Sequence, residues 1–360
     1  MYRQEENPVR MSQTAKLMTE TPLVSVIVLC RNEKRRIGPC LNTLIASDYP
    51  RERLEILVLD GMSDDGSRRI VEEIASKFPF VRLVDNPRKI IPAACNIGIR
   101  EAKGELIMVV GAHAQYSADY ITRCVDALIR YRACNAGGTW RILPGDESAT
   151  AKAIAFALAH PFASGNAYVK VGSKRPRWAD SAAFGCWKKE DLEKIGGWNE
   201  NLAGSSDMDL NVRLKQAGGK ILLHPDIQVG YYADSSFQSY WKHNFADGVW
   251  TTYVLKFGSK AWAWRHWVPM AFLLSLLASA ALAPFSRAFE GAFAVILCSY
   301  LLTALISSIQ ISTREKQANF LFLLPLAFGI RHFAHGIGAI YGACLLVLPG
   351  NRWIGRRGTG

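Results

Sequence analysis

Four short stretches of this chain carry side chains that could do chemistry, and each borders an apolar run or a loop before a helix. "LCRNE" offers a flat cation and a carboxylate in Arg31 and Glu33, and "LDGMSDDGS" offers Asp60 and Asp65 within a glycine-rich turn. "VVGAHAQY" offers His113 shortly after Gly111, and "GSSDMDLNVR" offers Asp207 and Asp209 where a loop turns into a helix. Gathered in one place, the first three sets suit a nucleotide pocket. Asp207 could act as a general base, taking the proton of a hydroxyl in a group-transfer reaction. Plainer roles stand beside these: Asp60 and Asp65 as turn and cap residues before a helix starting near Ser67, and Asp207 as the cap of the helix that runs through Leu214. Neither a GxGxxG nor a GxxxxGK-S/T phosphate loop is present, which disfavours Rossmann dehydrogenases and P-loop enzymes. The stretch with His113 poses its own question, because a strand tip that delivers a metal site is expected to carry a carboxylate.

For these groups to meet, the segments between them must form a sheet. "LVSVIVLC" and "LEILVLD" are short β-branched runs bounded by polar residues, as buried parallel strands are, and "GELIMVVG" is a third. Between them, "RRIGPCLNTLIAS" and "SRRIVEEIASKF" space apolar residues three and four apart. Alternating strand and helix predicts an α/β doubly wound sheet. Ligands of such sheets bind beyond the carboxyl ends of the strands. That selects Leu29 to Glu33, Asp60 to Gly66 and Gly111 to Gln115.

At 360 residues, 49% hydrophobic and 21% charged, the chain is too apolar to be disordered and long enough to bury a sizeable core. Its eight cysteines show no CxxC spacing, so neither a zinc site nor a disulfide framework is indicated and a reduced setting fits. The net charge of +12 suits nucleic acid or an anionic membrane; without a compact Lys/Arg run or an RNP-like motif, the membrane comes first and no nucleic acid is expected. "WVPMAFLLSLLASAALAPF" (267–285) and "GAFAVILCSYLLTALISSIQI" (291–311) are uncharged and close to the roughly 20 residues a bilayer span needs. Lys256, Lys260 and Arg265 precede the first and Arg314 and Lys316 follow the second, so the positive-inside bias predicts a hairpin with the preceding domain in the cytoplasm. A third apolar stretch, about 319–349, carries Arg331, His332 and His335 near its middle. A span there would export the basic tail "NRWIGRR" at 351–357, against that bias; an interfacial helix over about 319–329 followed by a tilted span is the alternative. His332 and His335 share a helix face, packing between helices or meeting a lipid phosphate. Residues 1–20 read as a tail, without the apolar core of a signal peptide.

The order "VSVIVLCRNE", "VLDGMSDDGS", "PAACNIGIREAKGE", "GAHA", "FGCWKKEDLEKIGGWNE" and "SDMDLNVRLKQAGGKI" resembles a family 2 inverting glycosyltransferase over roughly Thr21 to Tyr232. With the apolar hairpin behind it, the chain is most similar to the succinoglycan-type glucosyltransferases of bacterial exopolysaccharide assembly. The resemblance implies a GT-A (nucleotide-diphospho-sugar transferase) fold, a doubly wound mixed sheet over 21–235. A juxtamembrane helical linker at 236–266 and the C-terminal transmembrane helices of 267–350 would follow. It implies transfer of a hexose, glucose first, from a UDP-sugar to a polyprenyl-diphosphate-linked saccharide at the bacterial inner membrane.

Position by position, the resemblance places Leu29, Arg31 and Glu33 around the nucleobase and ribose, with the guanidinium plane of Arg31 stacking where an aromatic is common. Asp60 matches the first carboxylate of the second tip, with Asp65 beside it, whereas Gly61 replaces the second, which commonly meets uracil. Asn96 matches an asparagine before the third strand, Asp207 the catalytic base, and Asp209 and Arg213 its polar support. Trp178, Trp187 and Trp198 are candidates for the acceptor site, or for core packing. "GAHA" falls on the family's metal-binding DxD. Gly111 removes the first carboxylate and His113 takes the ligand position, which favours Mn2+ over Mg2+. Cationic side chains neutralising the diphosphate without metal, or a chain that has lost catalysis, are the alternatives. The QxxRW of processive synthases is absent, though "FQSYWKHNFADGVW" retains Gln238 and Trp241, so one sugar per encounter is expected. From other classes, a nucleotidyltransferase and a non-catalytic membrane subunit of a polysaccharide assembly complex remain.

Overall fold

The computed structural model describes residues 21–112, 114–259 and 263–347; His113 and Lys260 lie outside them. In chain order β1 (Val24–Cys30), α1 (Ile37–Ile45), β2 (Leu54–Asp60), α2 (Ser67–Ala75), β3 (Val81–Asp85), α3 (Ile91–Glu101), β4 (Leu106–Gly111) and α4 (Tyr120–Arg130) alternate. There follow β5 (Asn135–Leu143), α5 (Ala149–Ala159), α6 (Pro161–Ser164), α7 (Tyr168–Val171), β6 (Arg177–Trp178), β7 (Ala183–Lys188), α8 (Lys189–Lys194), α9 (Ser206–Gln216) and β8 (Ile221–Tyr232). The last helices are α10 (Phe237–Tyr253), α11 (Val268–Leu282), α12 (Arg287–Glu315) and α13 (Phe320–Val347). These elements form two compact units. The first comprises the described residues up to Gly138, Lys174–Trp198 and Arg213–Val229; the second comprises Thr139–Ser173, Asn199–Val212 and the described residues from Gly230.

In the first unit the sheet order is β3-β2-β1-β4-β7-β5-β8-β6. The pairs β1–β2, β1–β4 and β2–β3 are parallel, and β7 runs antiparallel to β4 and β5, so the sheet is mixed as expected. β1, β2 and β4 are buried almost throughout, because helices cover both faces of a parallel sheet. In α1, Ile37, Cys40, Leu41, Leu44 and Ile45 are buried at helical spacing. Each such leucine or isoleucine taken from water contributes roughly 1.5–3 kcal/mol. The sequence pattern passes over β3. Its five residues, VRLVD, sit on the sheet's edge with one strand partner and are mostly half-buried, so they form no apolar run.

In the second unit the helices pack on one another. Phe320, Leu324 and Phe328 of α13 meet Ala153 and Ala157 of α5 and Ala163 of α6. Between α10 and α13 the backbones touch: a Cβ added to Gly248 would lie 2.1 Å from the His335 carbonyl oxygen, and one on Gly338 would lie 2.1 Å from that of Phe245. Gly338 and Gly342 have the small-xxx-small spacing that permits such an approach. Val268–Phe285, α12 and α13 are each long and apolar enough to cross a membrane by length and composition. α13 stands apart, since 44% of its most apolar window is buried, against 11% and 17% in the other two. It runs unbroken from Phe320 to Val347, without a break near Gly329, because α5, α6 and α10 support it along its length.

Candidate active site

The register of the parallel strands brings their ends level. Cys30 lies opposite Asp60, Asp60 opposite Asp85, and Leu29 opposite Gly111. Leu29, Arg31, Glu33, Asp60, Gly61, Asp65 and Gly111 therefore share one sheet edge. The loops beyond β1 and β2 interlock there: Asn32 N donates to Ser63 Oγ at 2.8 Å, Glu33 N to Ser67 Oγ at 2.8 Å, and Lys34 N to Asp65 Oδ2 at 2.9 Å. Asn32 and Met62 hold left-handed backbone, φ 56° and 58°, a strain that surrounding bonds must hold in place.

Several of the predicted groups serve this loop architecture. Asp60, 1% exposed, accepts from the backbone and hydroxyl of Ser63 and from Arg68 Nη1 at 2.8 Å. Arg68 reaches Asp85 Oδ1 at 2.8 Å as well, and its hydrogen bonds to Asp60 and then Asp85 push its pKa up. For Asp65, burial is the largest single influence and pushes the carboxyl up. Bonds from the Ser67 hydroxyl and from the Lys34 and Ser67 backbone outweigh it, leaving the pKa below the usual range. Burial, and then the Asp60 charge, pushes the Cys30 thiol up to about 12, so it is no nucleophile at neutral pH. Ser63, Ser67, Arg68 and Asp85 were not singled out from the sequence. The serines in "SDDGS" carried the signal; Arg68, eight positions after Asp60, carried none that is local.

Gly61 and Arg31 form a pair. A Cβ at position 61 would lie 3.1–3.2 Å from the aliphatic stem of Arg31, so the stem fills the space a side chain there would need. At the tip of β4, Tyr116 donates its hydroxyl to Gly111 O at 3.1 Å and accepts from Gly111 N at 3.0 Å. Burial raises that phenol's pKa well above its usual value, so it stays a neutral donor. Among the described residues no group of three His, Cys, Asp or Glu side chains is placed to hold a metal ion.

The Asn96 amide donates to Trp198 O and accepts from Trp198 N, both at 2.8 Å, locking the turn at Gly196–Gly197. Trp187 and Trp198, 6% and 2% exposed, meet each other edge to face in the core and offer no ring face to an acceptor. Trp178 alone of the three is open, half exposed beneath Lys220 Nζ. Arg213 donates to Ile195 O at 2.8 Å.

In the second unit, Asp207 and Asp209 occupy the first turn of α9, Asp207 exposed and Asp209 buried. The loop ahead of them is seated firmly. Leu202 packs with Val249, Trp250, Tyr253 and Leu345, and a Cβ on Gly204 would fall 2.4 Å from the Trp250 ring.

Residues 25–187 match the profile of glycosyl transferase family 2. The chain carries a family 2 glycosyltransferase domain. It is a sugar-transferring enzyme of the hexosyltransferase class. A curated relative from Methanococcus voltae, a dolichyl N-acetyl-alpha-D-glucosaminyl phosphate 3-beta-D-2,3-diacetamido-2,3-dideoxy-beta-D-glucuronosyltransferase, is 23% identical over 85% of this chain and 92% of its own. The succinoglycan biosynthesis protein ExoA of Rhizobium meliloti (strain 1021) is 27% identical over 58% of this chain and 62% of its own. Among solved structures, the mannosyltransferase PcManGT of Pyrobaculum calidifontis, in complex with GDP-Man and Mn2+, aligns with a TM-score of 0.56 at 18% identity, covering 93% of this glycosyltransferase and 94% of that chain. The shared fold is the GT-A type.

Proposed function

We propose that this glycosyltransferase moves a hexose, glucose first, from a UDP-sugar to a polyprenyl-diphosphate-linked saccharide in surface or exopolysaccharide synthesis, with inversion. Asp207 accepts the proton of the acceptor hydroxyl while that oxygen attacks the anomeric carbon from the face opposite the diphosphate. A bond to the acceptor oxygen forms as the bond to the diphosphate oxygen breaks, and a single displacement inverts the centre. The observation that carries this reading is the exposed Asp207 on the first turn of α9, behind a loop fixed by Trp250. The strand-tip loops around Arg31 and Glu33 receive the nucleotide. The names of two relatives support the substrates, one acting on a dolichyl phosphate-linked sugar and one belonging to succinoglycan synthesis. The enzyme sits in the bacterial inner membrane, its catalytic domain on the cytoplasmic side where Lys256, Arg265, Arg314 and Lys316 meet anionic headgroups.

A divalent ion belongs to the same proposal, with Mn2+ ahead of Mg2+. The described residues supply no ligand cluster, so its fit rests on His113 as a protein ligand. When bound, such an ion neutralises charge on the leaving diphosphate. The deciding experiment uses detergent-purified protein, radiolabelled UDP-glucose and a bacterial lipid extract. Asp207→Asn keeps size and capping ability but not basicity, and should lower kcat at least about a hundredfold with folding intact; near-normal turnover sinks the assignment.

A further inference from the structure

We infer that Arg331, near the middle of α13, binds the diphosphate of a hydrocarbon-borne acceptor at a site in the second unit, a role that rests on the lipid-linked acceptor proposed above. A charged side chain inside so apolar a helix is costly, and such residues mark ligand sites and pathways. The neighbours of Arg331 leave part of it unused. Its Nη1 donates to Asn244 Oδ1 of α10 and lies 3.8 Å from Asp247 Oδ2, too far for a hydrogen bond. Nε and Nη2 have no hydrogen-bond partner among the described residues, yet neither is sealed from solvent. A guanidinium offers its N–H groups in a rigid fork that meets phosphate oxygens two at a time. The Nε–Nη2 edge of that fork is open.

The surroundings fix the approach. None of residues 327–336 is exposed, with the Pro269 carbonyl of α11 against Gly336 and the Tyr300 hydroxyl of α12 on His332. The Arg331 side chain is 15% exposed and that of Asp247 is 30% exposed, so the seam between α10 and α13 admits a ligand at this level. Lys170 of α7 and His266, just ahead of α11, lie close enough for their charges to act on His335, one turn along α13 from Arg331. His335 is itself 5% exposed, with Nε2 3.3 Å from Thr251 Oγ1 and Nδ1 without a partner. One turn of α13 thus carries an open guanidinium edge and an unpaired ring nitrogen.

Charge and setting choose the ligand. Arg331 and Lys170 outweigh Asp247, which favours an anion. An anion that reaches the middle of a 28-residue apolar helix arrives on a hydrocarbon chain. Two cations suit the several charges of a diphosphate better than the single charge of a phosphodiester headgroup. A plain tie from α13 to α10 would need Nη1 alone and would give no preference between a diphosphate and a monophosphate.

The test measures binding of radiolabelled geranylgeranyl diphosphate to the full chain in phosphatidylcholine nanodiscs, with no donor present. The parent protein should bind it more tightly than geranylgeranyl monophosphate. Arg331→Lys keeps the charge without the fork and should raise Kd at least about tenfold, with the preference for the diphosphate reduced. Lys170→Gln, on a separate helix, should also raise Kd, which keeps the test decisive if changes at Arg331 unfold the chain. UDP titration should be the same in all of them, because the donor loops belong to the first unit. Parent-like affinity in both variants overturns the inference while the lipid-linked acceptor stands. Absence of binding by the parent protein removes both. Displacement of the probe by phosphatidylglycerol would assign the site to bulk headgroups and also overturns the inference.

Discussion

Arg31 and Gly61 compete for one space at the strand tips, and this makes the nucleotide site testable at single residues. Gly61→Asp restores a carboxylate but sets its Cβ 3.1 Å from the Arg31 stem. The donor KM should rise about tenfold, equivalent to about 1.4 kcal/mol. Adding Arg31→Ala should recover most of the loss, and an unchanged KM in the single variant would show that the stem moves freely. Asp65 makes a pH prediction. Its folded pKa is depressed, so its contribution is present above the unfolded value of about 3.9 and fades as pH falls through the folded value. Asp65→Ala should cost about 1 kcal/mol at pH 7, and its unfolding curve should converge with that of the parent in strong acid. An equal gap at both pH values would contradict this. His113 is reached through the metal: EDTA should abolish turnover, Mn2+ should restore it better than Mg2+, and His113→Asp should shift the preference toward Mg2+. Undiminished activity in EDTA would leave neutralisation to cationic side chains. The carboxylates at the tips could be found by eye, because turn chemistry is local. The Asp60–Arg68–Asp85 bridge and the Asn96–Trp198 lock could not, since each joins segments that only folding brings together.

At the scale of elements, the loop ahead of α9 and the α10–α13 pair form one assembly within the second unit. The Trp250 ring lies against Gly204, and Leu345 of α13 packs in the same cluster as Leu202. Trp250→Ala should therefore loosen the segment bearing Asp207 and lower kcat by at least about tenfold. The donor KM should hold, because the donor loops belong to the first unit, and Trp250→Phe should recover much of the rate. A change confined to KM would place Trp250 in another role. Strands β1, β2 and β4 and helices α1 and α2 were legible from their periodicity. β3 was not, because an edge strand with one partner does not need an apolar run.

For the whole molecule, the apolar helices do more than anchor. Removing 267–360 would strip α13 from α5, α6 and α10, uncovering Ala153, Ala157, Val249 and Trp250. The shortened chain should still titrate a UDP-sugar analogue yet transfer nothing, even to an acceptor dispersed in detergent. Full turnover on such an acceptor would show that the helices serve only to tether the enzyme.

The sequence by itself determined an alternating, doubly wound α/β sheet, the strand tips that end in polar residues, and three stretches apolar enough for lipid. All of these follow from spacing within a dozen or so residues and from composition. Only the tertiary structure decided which tip carboxylates are tied up in loop architecture, which tryptophans are core, and how α13 is covered. Those outcomes depend on what lies opposite a residue after folding. A 28-residue apolar helix with Arg331 at its middle reads alike whether it meets lipid or α10, and the neighbours along its length make the difference.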